Sequence, residues 1–62
     1  MSDNCYFVLY DLYDNIIAYI DSYEDLASYT NLRKKQLKYK FKNKNFIYYV
    51  FKNSYIKIYK FN

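Results

Sequence analysis

The 62-residue sequence predicts an α+β fold of order ββααββ, with two β-hairpins flanking a pair of short helices. Three observations predict it. Paired apolar runs of strand length, rich in aromatic and β-branched residues, stand at both ends, over residues 5–20 and 46–61. Each pair is split by a short polar cluster of turn-forming residues. Between them, residues 22–42 carry helix-capping residues and apolar positions at helical spacing instead of alternation. The length allows one domain, 1–62, with no internal linker.

Each element has its own justification. Cys5-Tyr6-Phe7-Val8-Leu9-Tyr10 reads as a strand, Asp14-Asn15 as a turn tolerant of left-handed geometry, and Ile16-Ile17-Ala18-Tyr19-Ile20 as the return strand. Ser22 is placed to cap a helix over residues 23–29, with Glu24 and Asp25 in the first turn to complement its dipole. Leu26, Ala27 and Tyr29 give that helix its apolar face. Asn31 suits a left-handed corner, because Asn is the residue after Gly most tolerant of positive φ. Leu32 reads as a buried pivot. A second helix follows over residues 33–42, with Leu37 and Phe41 at i and i+4 as its narrow apolar stripe. Asn43-Lys44-Asn45 ends it. A second hairpin then turns around Lys52-Asn53-Ser54, with Tyr48 expected opposite Tyr59 and Val50 opposite Lys57. Tyr6, Tyr19, Tyr48, Tyr49, Tyr55 and Tyr59 alternate with apolar residues and should line the two hairpins.

Composition narrows the class of protein. A domain this small buries only about 60% of its unfolded surface and is expected to be marginal. Eleven Tyr and five Phe supply the mass for a core, while one Cys excludes an internal disulfide. There is no His, and so no common zinc pattern; no Gly, and so no phosphate-cradling glycine loop. Residues 1–4 lead into the first strand without a basic n-region, and no run approaches the ~20 apolar residues of a membrane span. A cytoplasmic protein is expected, acting in the host cytoplasm if phage-encoded. Abundant Lys, Asn, Tyr, Ile and Phe without Gly, Pro or Trp is the residue set of AT-rich codons, as in low-GC bacteria and their phages or mobile elements.

Charge is fully segregated along the chain. Asp3, Asp11, Asp14, Asp21, Glu24 and Asp25 all precede residue 26, whereas all ten cations follow residue 32, giving a net charge of +4. Arg33, Lys34, Lys35, Lys38, Lys40, Lys42 and Lys44 are concentrated on and just after the second helix. A polyanion is therefore drawn to one side only, and double-stranded DNA is the favoured partner. Two short helices meeting at Asn31, the second one basic, fit the spacing of a helix-turn-helix over residues 22–42. Ala27 supplies the small residue where the helices cross; Leu32 and Leu37 anchor the second helix. Lys34, Lys35, Gln36, Lys38 and Tyr39 would face the major groove, Gln36 being able to read adenine bidentately. Arg33, Lys40, Lys42 and Lys44 complete the candidate DNA-binding set, the last three on phosphates.

The stretch over residues 6–46 resembles the nuclease-associated modular DNA-binding domains of homing endonucleases, the intron-encoded-nuclease repeat type. The likeness rests on Val8-Leu9-Tyr10-Asp11, Asp14-Asn15 before Ile16-Ile17, Ile20-Asp21-Ser22, Leu26-Ala27, Asn31-Leu32, Leu37 and Lys42-Asn43-Lys44-Asn45-Phe46. It implies a hairpin packed on a helix-turn-helix that docks sequence-tolerantly on double-stranded DNA, here as a stand-alone phage or mobile-element protein. Asn15 or Asp14, Asn31 and Asn45 stand at the family's Gly positions, and Arg33 stands where Ser or Thr often caps the second helix. No nuclease module accompanies these residues, so no cleavage role carries over.

An enzyme is not expected. Without His, Cys5 has no imidazole partner, and Asp11, Asp14 and Asn15 lack calcium-loop spacing, so neither a catalytic set, a metal site nor a cofactor is assigned. Other readings stay open. The Lys-rich helix is also what a plain solvated face looks like. The basic face could instead block a host nucleic-acid-processing protein, as a phage-encoded host-defence inhibitor such as an anti-CRISPR protein does. A homodimer in which acidic and basic halves meet is a third arrangement. A membrane surface is disfavoured, because Leu37 and Phe41 are needed in the core.

Overall fold

The computed structural model describes residues 5–51 and 53–61. The leading residues 1–4, with Asp3, and Lys52 of the second turn lie outside the described residues. The elements run β1 (Tyr6–Tyr10), β2 (Ile16–Ile20), α1 (Tyr23–Thr30), α2 (Lys34–Lys40), β3 (Phe46–Phe51) and β4 (Ser54–Phe61). All strand pairs are antiparallel, and the expected α+β order ββααββ is found.

The two hairpins do not stand apart on either side of the helices. They join through a β1–β4 ladder into one four-stranded sheet of order β2-β1-β4-β3. The central strand β1 is covered on both faces: Phe7 and Leu9 are fully buried on one, and Val8 is 4% exposed on the other. Phe7, Leu9, Ile20, Ile47, Ile56 and Ile58 project from the inner face into a core closed by Tyr23, Leu26, Leu37 and Phe41 of the helical segment. The Phe7 ring meets Tyr23 edge-on at 5.0 Å and Phe41 at 5.5 Å, which ties the central strand to both helices.

The outer face is aromatic. Tyr6 stacks on Phe61 at 5.2 Å, and Tyr59 touches Tyr10, Phe46 and Phe61 at 5.3, 4.7 and 6.4 Å. Val8 lies opposite Tyr19 and Tyr59 in its two ladders, which explains its burial away from the main core. The tyrosines expected to line the hairpins do so, except that Tyr49 points inward and its hydroxyl donates to the Thr30 carbonyl at the end of α1. That bond satisfies one of the carbonyls that every helix leaves open at its C-terminus.

Local signals produced the ends of α1. Ser22 is the N-cap, its Oγ accepting from the Asp25 N–H at 3.1 Å, and Asn31 is the left-handed C-cap at φ 63°. The helix extends one residue beyond the expected 23–29, because Thr30 is buried with its hydroxyl donating to the Leu26 carbonyl at 2.8 Å. Leu32, expected buried, is half-buried against the core. The second helix is shorter than residues 33–42. Arg33 is its N-cap and Phe41 its C-cap. Beyond it, Lys42 and Lys44 donate to the carbonyls three residues back, at 3.1 and 3.2 Å, so the chain tightens and turns.

The second hairpin corrects the expected register. Tyr48 faces Lys57, Val50 faces Tyr55 and Phe46 faces Tyr59. The two-residue link lies between Phe51 and Ser54, with Asn53 in the left-handed region at φ 66°, so Ser54 enters the strand instead of turning. The offset is two residues, an even shift that leaves Tyr48 and Val50 on the face they share with Lys57 and Tyr59.

Candidate nucleic-acid interface

Helix α2 has two useful sides because seven residues make two turns. Leu37 turns inward and is fully buried, and Phe41 follows it four residues on at 2% exposure. Lys34 and Lys38, also four apart, lie beside that buried stripe and reach α1. The Lys34 ammonium pairs with Glu24 at 2.7 Å, and Lys38 sits 5.5 Å from the centre of the Tyr23 ring. The hydrogen bond from Lys34 holds the Glu24 carboxyl below its ordinary value of 4.5. These two cations stitch the helices together.

Lys35, Gln36, Tyr39 and Lys40 point the other way. All are exposed, as are Arg33, Lys42 and Lys44. With Lys42, Lys44, Phe46 and Tyr48 they line a groove of about 1200 Å³ between α2 and the edge strand β3. None of its lining residues is acidic. Among the described residues no carboxylate pairs with Arg33, Lys35, Lys40, Lys42 or Lys44. Two further carboxylates are engaged elsewhere, in and beside the β1–β2 turn. The Asp11 carboxylate accepts from the N–H groups of Asn15 and Tyr13 at 2.9 and 2.8 Å, and the bond from Asn15 leads in holding its pKa below 3.8. Asp14 pairs with Lys57, whose pKa is raised by that bond.

The structure thus gathers Lys35, Gln36, Tyr39, Lys40, Lys42 and Lys44 into one site and leaves Arg33, Lys34 and Lys38 outside its lining. Gln36 has a second duty. Its Oε1 accepts from the Arg33 backbone N–H at 3.0 Å, one half of a capping box. The Arg33 guanidinium has no acceptor with which to supply the other half. Sequence reasoning assigned Phe46 and Tyr48 only to the sheet and missed them as groove residues. The signal was present in part: Phe46 and Tyr48 share one face of a strand that begins two residues after Lys44, so rings follow closely on the cations. Ammonium, carboxamide and phenol groups thus lie together on one surface, offering positive charge, hydrogen-bond donors and ring faces.

No protein-family model matches the chain, and no curated protein or solved structure is significantly similar to it.

Proposed function

We propose that this protein binds double-stranded DNA through the outward face of α2, as a helix-turn-helix module set against a β-sheet. The observation that carries the reading is the cationic ridge of Lys35, Lys40, Lys42 and Lys44, exposed and without an opposing carboxylate among the described residues. A cationic surface of this kind attracts the phosphate backbone by releasing its counterions. The corner geometry agrees with such a module: Ala27 packs against the core, Asn31 is left-handed, and Leu37 is fully buried. Lys35, Gln36 and Tyr39 would enter the major groove, with Lys40, Lys42 and Lys44 on phosphates. Gln36 can still donate from Nε2 while its Oε1 serves the cap, so its base contact is a single bond instead of the bidentate one. The resemblance to the DNA-binding modules of homing endonucleases supports the same orientation.

Electrophoretic mobility shifts with duplex DNA over a salt series test this. Neutralising about five phosphates predicts that log K falls with log salt at a slope near −4 to −5. Replacing Lys40 and Lys42 by Ala should reduce the slope by about 2. Absence of any shift at low salt overturns the proposal.

A further inference from the structure

Duplex docking through α2 leaves the far wall of the groove unexplained, and that wall has a composition of its own. Phe46 and Tyr48 rise from the edge strand β3 directly after Lys42 and Lys44, so cations and aromatic rings share one cleft without an acidic residue. Tyr48 is 59% exposed, although T-shaped contacts at 4.9 and 6.4 Å fix its ring against Phe46 and Tyr55. Across the cleft Tyr39 is 77% exposed and, among the described residues, takes part in no side-chain hydrogen bond or ring contact. Two wetted rings in the lining of a lysine-rich cleft, that of Tyr48 held by its aromatic neighbours, fit a ligand that is anionic along its length and carries flat apolar groups. Bases inside a duplex are already stacked on their neighbours. Only an unpaired strand offers both phosphates and free base faces.

We infer that the DNA bound by this protein carries an unpaired strand beside the duplex, and that this strand runs along the groove between α2 and β3. On such a DNA Lys40 stays on the duplex backbone while Lys42 and Lys44 take phosphates of the unpaired strand, a base stacks on Tyr48, and Tyr39 lies at the junction where the strand leaves the duplex. The inference rests on the duplex-binding reading, because it extends the same cationic interface, and charge complementarity selects the occupant: an acidic protein would match the lysines but leave both rings without flat partners.

Fluorescence anisotropy with two labelled DNAs of equal duplex length tests it, one blunt and one with a single-stranded overhang of about eight nucleotides, at one salt concentration. Stacking of one base on an aromatic ring corresponds to roughly five- to 150-fold in affinity. The overhang DNA should therefore bind at least about fivefold tighter than the blunt duplex. Tyr48→Ala should bring that ratio close to one, while Tyr48→Phe, which keeps the ring, should preserve it. Equal affinity of the unsubstituted protein for both DNAs overturns the unpaired-strand inference and leaves duplex binding standing. An overhang preference that survives in Tyr48→Ala also overturns it. Binding to neither DNA overturns both readings.

Discussion

Asn31 does at one position what the chain has no glycine to do. Its φ of 63° lies where a β-carbon ordinarily clashes with the backbone, and Asn tolerates the region better than other non-Gly residues. Asp14 and Asn53 occupy the same region at the two hairpin turns, so both hairpins and the helix corner of this glycine-free chain depend on short polar side chains. The corner sets the angle between α1 and α2, and with it the direction in which the lysines of α2 point. Asn31→Ala should destabilise the fold by about 1–2 kcal/mol, whereas Asn31→Gly should be neutral or slightly stabilising. Urea denaturation of the two variants checks this, and equal stabilities would show that the left-handed corner is not strained.

At the scale of elements, what could be read from the sequence is what neighbours in the chain decide. The Ser22 cap, the Asn31 corner and the strand character of residues 6–10 and 16–20 all follow from contacts a few residues long. Helix α2 was legible in kind but not in length, because its exit is set by how Phe41 packs on Phe7 far along the chain. The β3–β4 register turned on which pair of residues forms the link, and Asn53 suits either choice. The groove was half legible. Lysine density marked the helical wall, while Phe46 and Tyr48 look like ordinary strand residues until the edge position of β3 is known. The β1–β2 turn is sensitive to acid. Asp11 accepts the Asn15 and Tyr13 N–H groups more strongly as a carboxylate than as an acid, so its folded pKa is depressed. A depressed carboxylate stabilises the fold above its ordinary pKa of 3.8, and that stability is lost as pH falls through the lower folded value. The Tm should therefore drop below about pH 4. Asp11→Asn keeps an acceptor oxygen without the titration and should flatten that drop; superimposable acid profiles by circular dichroism would contradict the assignment.

For the molecule as a whole, the β1–β4 ladder is the decisive contact, and no local pattern announces it. It converts a charge split along the chain into one across the sheet. β2 and the acidic β1–β2 turn belong to one side, while β3, flanked by Lys42 and Lys44, forms the opposite edge. The same ladder joins two hairpins that would each be marginal alone in water. A domain of 62 residues commands roughly 3–9 kcal/mol of stability. Leu9 and Ile58 lie directly opposite each other across this ladder, and both are fully buried. Truncating either to Ala should remove about 2–5 kcal/mol, a large fraction of the total. If the hairpins share one core, the two losses are not independent, because the cavity left by one side chain relaxes into the space of the other. A double-mutant cycle in urea should then give a coupling of at least about 0.5 kcal/mol, with secondary structure and tyrosine fluorescence lost in one coincident transition. Additive losses with separate transitions would mean that the hairpins fold apart, and the sheet that carries the α2–β3 groove would not persist as one body.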